Sequence, residues 1–255
     1  MQTQEIVRRD ALGYRKTFGV VAPSTNTSVQ PEYDDFRPRG VTNHFARIDI
    51  PNSPVHSDAD FDQLMKNIRG SLEEAIARVI TCEPDAIIMG MSSETFWDGL
   101  DGSKRLQERT EKISGRPVVM GSDACQAALR KYGDIKRLGI ITPYFPIGDN
   151  QVRKFFTDCG FEVVNLVGLK CTSPVNIARV TPAEMRDAFN QVNDPSIDAL
   201  VQVGTNLACA QVAAYGEFWI NKPVLAINTA TYWYALRTNG IMDKIDGFGS
   251  LLLDH

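Results

Sequence analysis

The chain has 255 residues, 43% hydrophobic and 23% charged, which suits one large globular domain or two ordinary ones and excludes an extended disordered protein. Its formal net charge is −4 with no basic tract, so nucleic-acid binding has no electrostatic footprint. No apolar run approaches the ~20 residues of a membrane helix, and the N-terminal MQTQEIVRRDALGYRKT is too polar and mixed in charge for a signal peptide.

Strands and helices are expected to alternate. The apolar run TFGVVA (17–22) reads as a strand that ends at Pro23, and NHFARIDI (43–50) as a second. Between Asp60 and Thr81, Phe61, Leu64, Met65, Ile68, Leu72, Ala75, Ile76 and Val79 recur at helical spacing. DAIIMGM (85–91) is a strand, 101–114 a polar helix, PVVM (117–120) a strand and 122–132 a helix. LGIIT (138–142) opens the second half, with a helix over 148–159 and a strand over 161–169. Thr181, Pro182 and Glu184 start a helix over 182–192. DALVQV (198–203) and PVLAI (223–227) are the last strands, each followed by a helix. Short, continuous, β-branched strands are those of parallel sheets covered on both faces, so the fold class is α/β with right-handed crossovers.

The five cysteines are odd in number, widely spaced and form no CxxC, which fits a reducing, cytoplasmic setting. His44, His56 and His255 make no metal-ligand spacing with each other or with a cysteine.

The halves repeat each other. KTFGVVAPS (16–24) lies over KRLGIITPY (136–144), DAIIMGMSS (85–93) over DALVQVGTN (198–206), and GRPVVMGSDA (115–124) over NKPVLAINTA (221–230). Three matches in one order predict a duplication. The expected halves are residues 1–133 and 134–255, each a mainly parallel sheet flanked by helices, with the active site between them. Ligands of such sheets sit beyond the strand carboxyl ends. The paired loops there are rich in Ser, Thr, Asn and Gly, which suits them to cradle an anion.

With the loops PSTNT (23–27), MSSETFWDG (91–99), TPY (142–144) and GTNL (204–207), the sequence resembles the aspartate/glutamate racemase superfamily, in its maleate isomerase and arylmalonate decarboxylase branch. The resemblance spans the chain from about Phe18 onward. It implies two pseudo-symmetric α/β subdomains, a homodimer or homotetramer, no cofactor, and a small carboxylate substrate held between the halves. It marks Tyr144, Asn26 and Asn176 as substrate-contacting positions. Family members of the racemase and isomerase type place a cysteine on each side of the substrate, and arylmalonate decarboxylase keeps only the second. Those positions fall at Met91 and Gly204.

Neither Met91 nor Gly204 can move a proton or act as a nucleophile. What remains is a set of oxyanion donors: Ser92, Ser93, Thr205, Asn206 and Tyr144, with Ser24 and Asn26 in the first loop. Decarboxylation through an enolate is the leading reading, because preorganised donors stabilise such charge. Hydrolysis of a small amide or ring carbonyl, using Glu94 as a base or water-orienting group or the Ser92/Ser93 loop, is a second. A non-catalytic ligand-binding protein is a third.

Plainer roles are also open. Ser24–Thr27 suit a helix cap, and Glu94 suits the first turn of a helix by charge alone. Phe96 and Trp97 either line a pocket or pack in the core. Cys209 is expected about one turn into a helix that starts near Asn206, as core. His56 lies in a Pro-rich loop placed to close over the site, and Tyr232 and Trp233 read as core.

Overall fold

In the computed structural model, residues 10–255 are described; the first nine residues of the polar N-terminal stretch lie outside the described residues. Strands β1 (Lys16–Pro23), β2 (Val41–Ile48), β3 (Ala86–Met89) and β4 (Val118–Val119) form a parallel sheet in the order β2-β1-β3-β4. Strands β5 (Arg137–Thr142), β6 (Glu162–Gly168), β7 (Ala199–Gln202) and β8 (Val224–Ala226) form another in the order β6-β5-β7-β8. The second order is the first with every strand advanced by four.

The repeat extends to register. Phe18 pairs with Ala86 as Leu138 pairs with Ala199, and Ile87 pairs with Val118 as Leu200 pairs with Val224. Asp85 accepts the Thr17 N–H at 2.8 Å, and Asp198 accepts the Arg137 N–H at 2.8 Å. A bulge between Leu138 and Gly139 interrupts the β5–β6 register, where β1–β2 runs without a break. One glycine in each half admits a helix end to the central strand. A Cβ on Gly19 would lie 3.1 Å from Val79 Cγ2, and one on Gly139 would lie 2.9 Å from the Val192 carbonyl.

The helices are α1 (Val29–Asp35), α2 (Asp58–Val79), α3 (Gly99–Ser114), α4 (Gly121–Lys131), α5 (Pro146–Asp158), α6 (Pro174–Ile177), α7 (Pro182–Val192), α8 (Ala210–Ile220), α9 (Ile227–Thr238) and α10 (Ser250–Asp254). The long amphipathic stretch becomes α2, which buries Phe61, Met65, Ile68, Leu72, Ala75, Ile76 and Val79. Ser57 caps it by accepting the Asp60 N–H at 3.2 Å. Helix α7 carries the capping box of Thr181 and Glu184. The short helices α1, α6 and α10 had no counterpart in the periodicity reading. Several strands are shorter than the apolar runs that contain them, because the runs continue into buried loops.

Helix α9 is buried on nearly every face and packs against α4, its counterpart in the first half. One apolar cluster therefore contains residues of both sheets, including Ile87, Val119, Leu129, Val201, Ile227 and Trp233. A second cluster, around Phe189, Leu200 and Leu207, belongs to the second sheet. Among the described residues no helix is long and apolar enough to cross a membrane.

Candidate active site

The carboxyl ends of β1, β3, β5 and β7 bring the four predicted loops to one seam. Ser92, at the end of β3, lies 2.6 Å from the Tyr144 hydroxyl, oxygen to oxygen. The Thr205 N–H donates to Ser92 Oγ at 3.1 Å, and Thr205 Oγ1 donates to the Gly90 carbonyl at 3.3 Å. From the first loop, Asn26 Nδ2 donates to Thr205 Oγ1 at 3.1 Å. Asn206 Oδ1 accepts the Thr27 N–H at 2.9 Å, and its Nδ2 donates to the carbonyls of Thr25 and Pro174 at 3.3 and 3.0 Å. Ser28 Oγ returns to the Asn206 carbonyl at 2.9 Å.

Ser92, Tyr144, Asn26, Thr205 and Asn206 are all at most 6% exposed, and their side-chain polar atoms bond to one another or to neighbouring backbone groups. This is a closed seam rather than an open cleft. A substrate oxygen would enter by replacing these internal partners. Burial raises the Tyr144 hydroxyl well above the ordinary phenol range, so it stays protonated and can donate.

Asn26 joins two roles that looked like alternatives in the sequence. Its Oδ1 accepts the N–H groups of Ser28 and Val29, both at 3.0 Å, and so caps α1. Its Nδ2 reaches across the seam at the same time. Arg47, stacked over Phe45, donates to the Asn26 carbonyl at 3.1 Å and holds the loop from outside.

Other predicted residues lie elsewhere. Ser24 is exposed and exchanges hydrogen bonds with the backbone of Ile50, both at 3.1 Å. Ser93 is half-buried and its side chain makes no hydrogen bond among the described residues. Asn176 bonds within its own turn, donating to Thr172 at 2.8 Å and accepting from Arg179 at 3.0 Å, and does not join the seam. Glu94 faces away from the seam, where its Oε1 accepts from Arg69 Nε at 2.7 Å in a pocket lined by Trp97, Arg105 and Arg109. Burial raises the Glu94 carboxyl, and its Oε2 is buried without a partner.

Phe96 packs edge-on to Phe155 at 5.0 Å in the core, while Trp97 stacks on Phe61 and lies under the Arg69 guanidinium. Tyr232 and Trp233 are core residues as expected. His56 is exposed at the head of α2. Its loop nevertheless reaches the second half, where the Val55 N–H donates to the Thr172 carbonyl at 2.7 Å. Cys209 is not one turn into a helix: it immediately precedes α8, fully buried, with its thiol pushed up by desolvation.

The two positions at the centre of the resemblance differ in kind. Met91 is a packed core side chain, 1% exposed. Gly204 has φ +121, and a Cβ there would lie 2.5 Å from Pro143 Cδ, so backbone and neighbour both exclude a side chain. Gln202 Nε2 donates to the Gly204 carbonyl at 2.8 Å and fixes the turn.

Sequence reasoning missed one half-buried acid. Glu32, on α1, accepts the Ala210 N–H at 3.0 Å and Asn228 Nδ2 at 2.6 Å, both from the second half. Its only local signal is Pro31-Glu32 in a first helical turn, which reads as a surface acid.

A family model for arylmalonate decarboxylase matches residues 19–252. The chain is similar to the maleate isomerase of Alcaligenes faecalis, 22% identical over 247 residues, 92% of this chain and 95% of that protein. Among solved structures, a mutant maleate cis-trans isomerase of Nocardia farcinica with a covalently bound succinylcysteine intermediate gives a TM-score of 0.85 at 19% identity. That match covers 94% of this chain and 99% of the other. A structure of arylmalonate decarboxylase gives 0.73 at 19% identity, covering 92% and 98%.

Proposed function

Because the chain belongs to the arylmalonate decarboxylase family, we propose that it is a cofactor-independent lyase that decarboxylates a small malonate-type acid at the seam between its halves, residues 1–133 and 134–255. The related proteins named above are an isomerase and a decarboxylase of small carboxylates, which supports a carboxylate substrate. The observation that carries the reading is the convergence of Ser92 Oγ, the Tyr144 hydroxyl and the Thr205 N–H in one buried cluster drawn from both halves.

One substrate carboxylate takes the place of the internal partners of Asn26, Thr205 and Asn206. The bond from the substrate's α-carbon to its other carboxylate carbon breaks, carbon dioxide leaves, and the electron pair passes into an enolate of the retained carboxylate. Ser92, Tyr144 and the Thr205 N–H face that enolate oxygen, where fixed donors in a dry site are worth several kcal/mol. The carbanion takes a proton from a hydroxyl of the Ser92–Tyr144 pair, which regains one from water.

A one-sided proton source accords with Met91 and Gly204 at the positions where the resemblance places cysteines. The N. farcinica isomerase carries its intermediate on a cysteine, and in this chain the five thiols are elsewhere. Those of Cys125, Cys159, Cys171 and Cys209 are all pushed up by burial, which disfavours a thiolate nucleophile.

The test is carbon dioxide release from a panel of α-substituted malonates by purified protein. Ser92→Ala and Tyr144→Phe should each lower kcat, by about 100-fold for Ser92→Ala. No release from any member of the panel would sink the decarboxylase reading.

A further inference from the structure

Glu32 is a half-buried carboxylate at the seam, and its side chain is bonded to the other half. Its Oε1 accepts the Ala210 N–H that opens α8, and its Oε2 accepts Asn228 Nδ2 at the start of α9. The same Asn228 amide donates its second hydrogen to the Thr205 carbonyl at 2.9 Å. Both amide hydrogens are thus used, while Asn228 Oδ1 is buried with no partner. An amide has two donors and one acceptor group, so its two donor bonds alone set this one's orientation, and one of them depends on the Glu32 carboxylate. Thr205 is held on both sides: its carbonyl by Asn228, its N–H by Ser92. A continuous path runs Glu32, Asn228, Thr205, Ser92, Tyr144.

We propose that Glu32 is a positioning residue: ionised, it orients Asn228 so that Thr205 stays aimed at Ser92, and protonated, it turns the Asn228 amide and releases Thr205. The role rests on the reading of the Ser92–Tyr144 cluster as the reacting site. Protonation makes one Glu32 oxygen a donor, and Asn228 Oδ1, on the amide already bonded to Glu32, is an unused acceptor. Turning the amide to accept that proton brings Oδ1 opposite the Thr205 carbonyl, two acceptors face to face, and the link breaks.

Burial pushes the Glu32 carboxyl up to about 7, against the pull of the hydrogen bonds from Asn228, Ala210 and Cys209 and with the added push of Asp35. The other titratable groups that feel its charge are Tyr33 on α1 and the Cys209 thiol at the head of α8; α9 faces it with the uncharged Asn228. A cavity shared with Thr27, Asp35, Gln211 and Phe248 gives the carboxyl its proton from solvent.

The experiment is a pH titration of the full-length protein by NMR, without substrate, over about pH 5 to about pH 9. The Glu32 carboxyl carbon, the Asn228 side-chain amide and the Thr205 backbone amide should shift together with one midpoint at about 7. Glu32→Gln should leave the Thr205 amide without that titration. Asn228→Ala should leave Glu32 titrating and uncouple Thr205 from it, which keeps the test sharp if Glu32→Gln does not fold. A Thr205 amide that is flat in the wild type, or one that still titrates in Glu32→Gln, overturns the proposal. Because no substrate is present, failure of malonate turnover would sink the functional reading and leave this coupling standing or falling by itself.

Discussion

The two halves agree in strand order and, apart from the β5–β6 bulge, in register, and disagree where they line the seam. Asp85 and Asp198 each accept the same backbone N–H at the same distance, and Gly19 and Gly139 each admit a helix end to the central strand. Four residues after Ala86 and Ala199 the likeness stops. Gly90-Met91-Ser92-Ser93 stands opposite Val203-Gly204-Thr205-Asn206. Met91 fills core volume where Gly204 has none to fill, and among the described residues Ser93 makes no side-chain hydrogen bond where Asn206 bonds to three backbone groups of the neighbouring loops. Sheet geometry tolerates few solutions, so it is kept in both copies. The seam is filled once, by two loops that share the work unequally.

The comparison breaks most sharply at Gly204. Gly204→Ala combines a φ that non-glycine residues rarely adopt with a 2.5 Å clash against Pro143, and should cost about 4 kcal/mol. Met91→Ala at the matching position only leaves a cavity and should cost about 3 kcal/mol. Denaturant unfolding of both variants ranks them; equal losses would mean that the 204 turn relaxes freely.

Glu32 comes next, with a pH signature. Its folded value, about 7, lies above the ordinary 4.5, so folding favours its protonated form. That stabilising contribution is complete below about pH 4.5 and lost as pH rises through about 7, a decline of about 3 kcal/mol. The melting temperature of Glu32→Gln, followed between those limits, should lack the decline. A wild-type curve that rises over the same window would contradict the assignment.

A smaller effect separates Asn206 from its counterpart. Asn206→Ala leaves the Thr27 N–H without its acceptor and loosens the first loop, for about 2 kcal/mol. Ser93→Ala should change stability by less than about 0.5 kcal/mol. Smallest of the paired tests, Asp85→Ala and Asp198→Ala should each cost about 1 kcal/mol, since each removes the acceptor of the N–H at the start of an inner strand, beside further bonds that differ between the halves. A difference of several-fold would mean that the scaffold repeat is less symmetric than its register.

Much of this was legible along the chain. Parallel strands covered on both faces must be short, apolar and β-branched, and helices must alternate with them, so the α/β class follows from local pattern. The internal match carried over to the sheets, where Gly19 pairs with Ile87 as Gly139 pairs with Leu200. Ser92, Tyr144, Asn26, Thr205 and Asn206, picked out from loop motifs, do meet in one cluster. The sequence alone did not separate them from Ser24, Asn176 and Glu94, whose residue types are equally apt but whose side chains bond elsewhere.

Local pattern therefore determined the elements, their order and the duplication, since each rests on contacts within a strand, a helix or a repeat. Tertiary structure alone decided which polar groups face one another. The bonds from Asn26 to Thr205 and from Glu32 to Asn228 join residues 179 and 196 positions apart. No periodicity reports on such pairs, because their geometry is fixed only when α4 packs on α9 and closes the two halves together.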